Sequence, residues 1–72
     1  MVNVDKLKGK MVERRMSVED VAVAIGLNVS TLYRRLNNGG NTFTIEEADK
    51  IAKLLDLTAD ELNKIFFAQY VA

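Results

Sequence analysis

The segment Ser17–Leu36, SVEDVAVAIGLNVSTLYRRL, constrains what this 72-residue chain can fold into more than any other. Val18, Val21, Ala22 and Ile25 recur at helical spacing and define one buried stripe. Gly26 suits a sharp stop, because a residue without Cβ takes positive φ at little steric cost. Asn28 is placed to cap a second helix through its side-chain oxygen, and Leu32 and Leu36 pin that helix to a core. Ser30, Thr31, Tyr33 and Arg34 are left largely on the other side. Two helices joined this tightly form a helix-turn-helix, a unit whose second member can enter the DNA major groove.

The rest of the chain is punctuated in the same way. Asn3 can cap a first helix with Val4, Leu7, Met11 and Val12 as its apolar stripe. Three capping boxes mark later helix starts: Ser17 with Asp20 (a shorter version), Thr44 with Glu47, and Thr58 with Glu61. Each is framed by a hydrophobic staple, Met16 with Val21, Phe43 with Ala48, and Leu57 with Leu62. Ile45, Ala48, Ile51, Ala52 and Leu55 line a fourth helix, and Leu62, Ile65 and Phe66 a fifth. No strand signal has comparable strength. The expectation is one all-α domain of five helices over residues 1–72, with the helix-turn-helix at 17–37 and an apolar tail at 66–72.

Composition excludes several classes of function. Without cysteine or histidine there is no disulfide framework, no thiolate or imidazole metal site, and no Ser-His or Cys-His nucleophile. Glu46, Glu47, Asp60 and Glu61 fall in first turns, where they favour the helix dipole, so a structural role explains them and an enzyme is not expected. No apolar run is long enough to span a bilayer, and no signal-peptide pattern opens the chain. The formal net charge of zero conceals an asymmetry. Residues 1–38 hold seven basic and four acidic groups, a net of +3, whereas residues 39–72 hold three and six, a net of −3. The positive half contains the candidate reading helix, and such a distribution produces a local field that the net charge hides.

These residues carry a family resemblance. The segment resembles the helix-turn-helix of the Cro and lambda-repressor group, also called the XRE family. Ala22 looks like the small residue where that family's two helices cross, Gly26 like its turn glycine, and Leu32 like its buried anchor. STLYRRLN, a polar loop and FTIEEADKIAKLLDLTADEL look like its third, fourth and fifth helices, so the likeness covers roughly residues 3–66. Val18 stands where many relatives carry Gln, and Arg35 at a position often apolar in the family, with Leu36 taking over as anchor. The resemblance implies a lambda-repressor-like DNA-binding fold and a phage-type repressor or Cro-like regulator of the bacterial cytoplasm. Such a protein works without cofactor or membrane, as a homodimer on a palindromic operator with half-sites about 34 Å apart.

Direct readout needs side chains from the N-terminal part and outer face of the second helix. Asn28, Val29, Ser30, Tyr33 and Arg34 meet that requirement, with Thr31 at the margin. Arg34 leads, since its planar fork can bond both major-groove acceptors of a guanine. Asn28 either caps the helix or reads an adenine edge. Val29 offers apolar contact to a thymine methyl. Tyr33 offers its hydroxyl to phosphate or its ring to a base, or is simply a partly packed surface aromatic. Candidate phosphate contacts are Lys6, Lys10 and Arg14, which follow one another at i, i+4, together with Ser17 and Arg35. The loop residues Asn37, Asn38, Asn41 and Thr42 join them, although an ordinary polar turn explains that loop equally well. A solvated surface likewise explains the row of cations on the first helix.

The end of the chain, IFFAQYVA, is apolar. Phe66 is assigned to the core, and Phe67, Tyr70 and Val71 either fold back over the first helix or form a two-fold contact with another subunit. Two other functions compete with operator binding. One is the antitoxin of a toxin–antitoxin pair, which binds both DNA and a partner. The other is a protein-interaction module that has kept the fold and lost DNA binding.

Overall fold

Each helix begins at a side chain that satisfies amides the first turn leaves free. The computed structural model describes residues 2–38 and 43–67. Its elements are α1 (Val4–Glu13), α2 (Val18–Ile25), α3 (Val29–Asn37), α4 (Ile45–Leu54) and α5 (Ala59–Phe66), with no strand among the described residues. Ser17, Thr44 and Thr58 each accept from the amide three residues on, and Asp20, Glu47 and Glu61 accept from the cap residue's own N–H in return. All three boxes close at 2.9 and 3.1 Å, so the shorter Asp20 serves as well as the glutamates. Asn3 caps α1 and donates its own N–H to Ile65 O at 2.7 Å, which ties the start of α1 to α5.

Three connections share one build. Arg15, Gly26 and Asp56 all adopt positive φ, at 57°, 75° and 53°. The next residue's N–H then reaches back across the helix end, from Met16 to Met11 O at 2.9 Å, Leu27 to Ala22 O at 2.8 Å and Leu57 to Ala52 O at 2.9 Å. This is a Schellman end, which satisfies carbonyls that the last turn leaves open. Met16, Leu27 and Leu57 pack against the core, and each is followed at once by the next cap, Ser17, Asn28 or Thr58. The turn of the helix-turn-helix is therefore one of three links of this build. Only Gly26 has the residue that the left-handed conformation favours; Arg15 and Asp56 adopt it despite their Cβ.

The core runs through all five helices: Leu7 and Met11; Val21, Ala22 and Ile25; Leu32 and Leu36; Ala48, Ile51 and Leu55; Ile65 and Phe66. α2 packs on both α3 and α4, and α5 packs on α1 and α4. Phe43 and Phe66 meet edge to face with centroids 5.9 Å apart, just ahead of the α4 cap. Two stripe assignments are corrected. Val12 is 76% exposed, because it falls well round α1 from Leu7 and Met11. Ile45 is 78% exposed, because it lies in the first turn of α4, a turn beyond Ala48, where no described residue covers it. No described helix is long and apolar enough to cross a membrane.

Candidate nucleic-acid interface

α3 is held by one face and open on the other. Leu32 and Leu36, a turn apart, are buried, with Val29 packed beside them at the edge of the core. The helical period then sends Ser30, Tyr33, Arg34 and Asn37 to the opposite side, and all four are exposed. Thr31 and Arg35 are half-buried along one flank. Leu36 is the second anchor, which leaves Arg35 at the flank. Asn28 is the N-cap, its Oδ1 accepting the Ser30 N–H at 2.8 Å, so only its amide NH2 is uncommitted. Asn38 closes the other end as C-cap, donating its N–H to Arg34 O at 3.1 Å. Asn41 and Thr42 lie outside the described residues, as do Tyr70 and Val71.

The cations of the positive half divide into two groups. Lys10 bridges Glu61 and Glu13, the latter at 3.2 Å, and so joins α1 to α5. The hydrogen bond from Lys10 and the Thr58 amide hold the Glu61 carboxyl down to about 2, and Glu61 and Glu13 in turn raise Lys10. Arg14 donates from Nε to Leu55 O at 2.9 Å and from Nη2 to Asp56 O at 3.5 Å, capping α4 with a cation where its dipole favours one. Arg35 pairs with Glu47, the same carboxylate that closes the Thr44 cap, and their side chains are only 19% and 17% exposed. Desolvation by itself would raise Glu47; the Thr44 amide and Arg35 outweigh it and keep the carboxyl low.

Lys10, Arg14 and Arg35, read from the sequence as phosphate contacts, are thus engaged in joining helices. Lys6, Lys8, Arg15 and Arg34 are exposed and make no ion pair among the described residues. Ser17 remains exposed at the start of α2, with its hydroxyl accepting the Asp20 N–H.

One contact has no counterpart in the sequence reading. The Tyr33 hydroxyl donates to Glu19 Oε1 at 2.6 Å, linking the outer face of α3 to the first turn of α2. That bond is the main reason the Glu19 carboxyl lies below, and the Tyr33 phenol above, its ordinary range. The two residues are 14 apart, and no local spacing announces the pair. Phe67 is half-buried against the molecule's own core, its ring 6.4 Å from that of Phe66.

The arrangement is a helix anchored from behind, with a guanidinium that makes no ion pair among the described residues and several neutral hydrogen-bonding groups on its exposed side. The family model for the Cro/C1-type HTH DNA-binding domain matches residues 6–67. No curated protein and no solved structure matches the chain. With nearly the whole sequence covered, the chain belongs to the Cro/C1-type HTH family.

Proposed function

We propose that this member of the Cro/C1-type HTH family is a sequence-specific transcriptional repressor, of the phage-repressor or Cro-like kind, that occupies a palindromic operator as a homodimer. The observation that carries the reading is the outer face of α3, where Arg34 stands exposed and unpaired among the described residues beside Ser30, Tyr33 and Asn37. Arg34 donates in two-pronged fashion to a guanine, Ser30 bonds a neighbouring base edge, and Val29 and Thr31 flank them with methyl groups. The NH2 of Asn28 reaches the groove edge while its oxygen keeps the cap. Lys6, the Ser17 hydroxyl, Asn37 and Asn38, with Asn41 and Thr42 in the following loop, contact phosphates and fix the register. No cofactor takes part. Repression follows from occupying DNA that polymerase needs, in the cytoplasm where that DNA lies.

Selection of bound sequences from a random duplex pool, followed by titrations at several salt concentrations, tests this reading. A palindromic consensus with half-sites about one helical turn apart, and affinity falling steeply with salt, is the expected result. Failure to enrich any sequence, with no salt-sensitive binding, contradicts it. One observation favours the second reading, a protein-interaction module: Val12, Val23 and Ile45 are each more than three-quarters exposed. An antitoxin combines both readings and requires a toxin partner bound by the same chain.

A further inference from the structure

The Tyr33–Glu19 bond places a carboxylate beside the face proposed to meet DNA, where phosphates repel it. In the first turn of α2 that carboxylate gains a little from the helix dipole, but the cap itself does not use it. The α2 cap uses Asp20, not Glu19, and the bond joins two exposed side chains, where such contacts add little stability. Its chemical effect falls on Tyr33. A phenol has one hydrogen bond to donate, and here the Glu19 carboxylate accepts it at 2.6 Å. The hydroxyl is drawn toward α2, and the ring is held across the junction of α2 and α3 rather than free to swing outward.

We infer that Glu19 is a positioning residue for sequence recognition, which holds Tyr33 so that its ring, not its hydroxyl, meets the DNA. Tyr33 then supplies an apolar surface suited to a pyrimidine C5 edge, above all a thymine methyl, and donates to no phosphate. The two uses of Tyr33 left open by the sequence are thereby reduced to one. The inference rests on the DNA-binding reading and adds to it a specificity determinant outside the reading helix.

The test is random-duplex selection with the wild-type chain and with Glu19→Ala, Glu19→Gln, Tyr33→Phe and the Glu19→Ala/Tyr33→Phe double variant. Thermal midpoints serve as the control that all remain folded. Glu19→Ala and Tyr33→Phe release the ring, and each is expected to reduce discrimination at the same single base-pair position by roughly threefold, below the scale of a bidentate base contact. The double variant loses no more than either single one, because one interaction has been removed twice. Glu19→Gln still accepts from the phenol, so it keeps the wild-type preference while binding every duplex more tightly, as one negative charge is gone. If Glu19→Ala binds all sequences more tightly with an unchanged preference, Glu19 acts by charge alone and the inference fails while operator binding stands. Loss of the preference in Glu19→Gln overturns it equally. A wild-type chain that enriches no sequence overturns both.

Discussion

Arg34 and Arg35 are adjacent in the chain and carry the same group, yet they occupy different regions of the molecule. Arg34 projects from the outer face of α3 and makes no ion pair among the described residues. Arg35, a third of a helical turn away, reaches the Glu47 carboxylate and fastens the end of α3 to the start of α4. The same division separates Lys6, exposed on α1, from Lys10 one turn on, which is held by Glu61 and Glu13. A cation count over residues 1–38 merges two populations. The seams between helices consume one, and the surface retains the other. Charge predicts a nucleic-acid face only after the fold has taken its share.

The largest effect that can break this contrast comes from the buried side of α3. Leu32 is fully buried, and Leu32→Ala should cost about 2–5 kcal/mol of folding stability, read as a shift in urea midpoint. Both regions should fail together, since α3 would lose its anchor and DNA affinity with it. Arg35→Ala comes next. It leaves the Glu47 cap in place but removes a largely buried partner, so about 1 kcal/mol of stability should go. The salt dependence of duplex binding should stay at the wild-type slope; a flatter slope would return Arg35 to the phosphate-binding group.

Arg15 sharpens the contrast from the other direction. It stands in a left-handed conformation at φ 57° with no ion pair among the described residues. Arg15→Gly should therefore raise stability by about 1 kcal/mol by relieving the Cβ penalty. If the midpoint falls, Arg15 has a partner role that its geometry does not disclose.

The mildest perturbation is acid. Folding holds Glu61 down to about 2 from an ordinary 4.5, so its contribution is complete above about pH 4.5 and is lost as the pH falls toward 2. Urea midpoints measured across that window should fall with pH, and Glu61→Gln should flatten the decline. An unchanged slope in Glu61→Gln would show that other carboxylates govern acid unfolding.

Much of this architecture is written in short spacings. Ser17, Thr44 and Thr58 with an acid three residues on, and Gly26 between two apolar stripes, act within a turn or two of themselves, and each marks a boundary the structure contains. Leu32 and Leu36 likewise define the buried side of α3 by periodicity alone. Val12 and Ile45 show where that logic stops: Val12 falls well round α1 from Leu7 and Met11, and Ile45 lies in a first turn that no described residue covers. The candidate site was less legible. Whether a side chain is free depends on partners far along the chain: Arg14 on a carbonyl 41 residues away, Arg35 on a carboxylate 12 residues away, Tyr33 on Glu19 from the preceding helix. No local pattern encodes such contacts. The left-handed turns at Arg15 and Asp56 were hidden for another reason, since neither carries the glycine that advertises them.

Operator recognition as proposed rests on Arg34, on the exposed side of α3, reading a base. The most direct measurement compares Arg34→Ala with the wild-type chain on the selected duplex and on a scrambled one. Arg34→Ala should lose about 1–3 kcal/mol on the selected duplex, relax preference at one base pair, and lose much less on the scrambled duplex. Equal losses on both duplexes, or none on either, would contradict it.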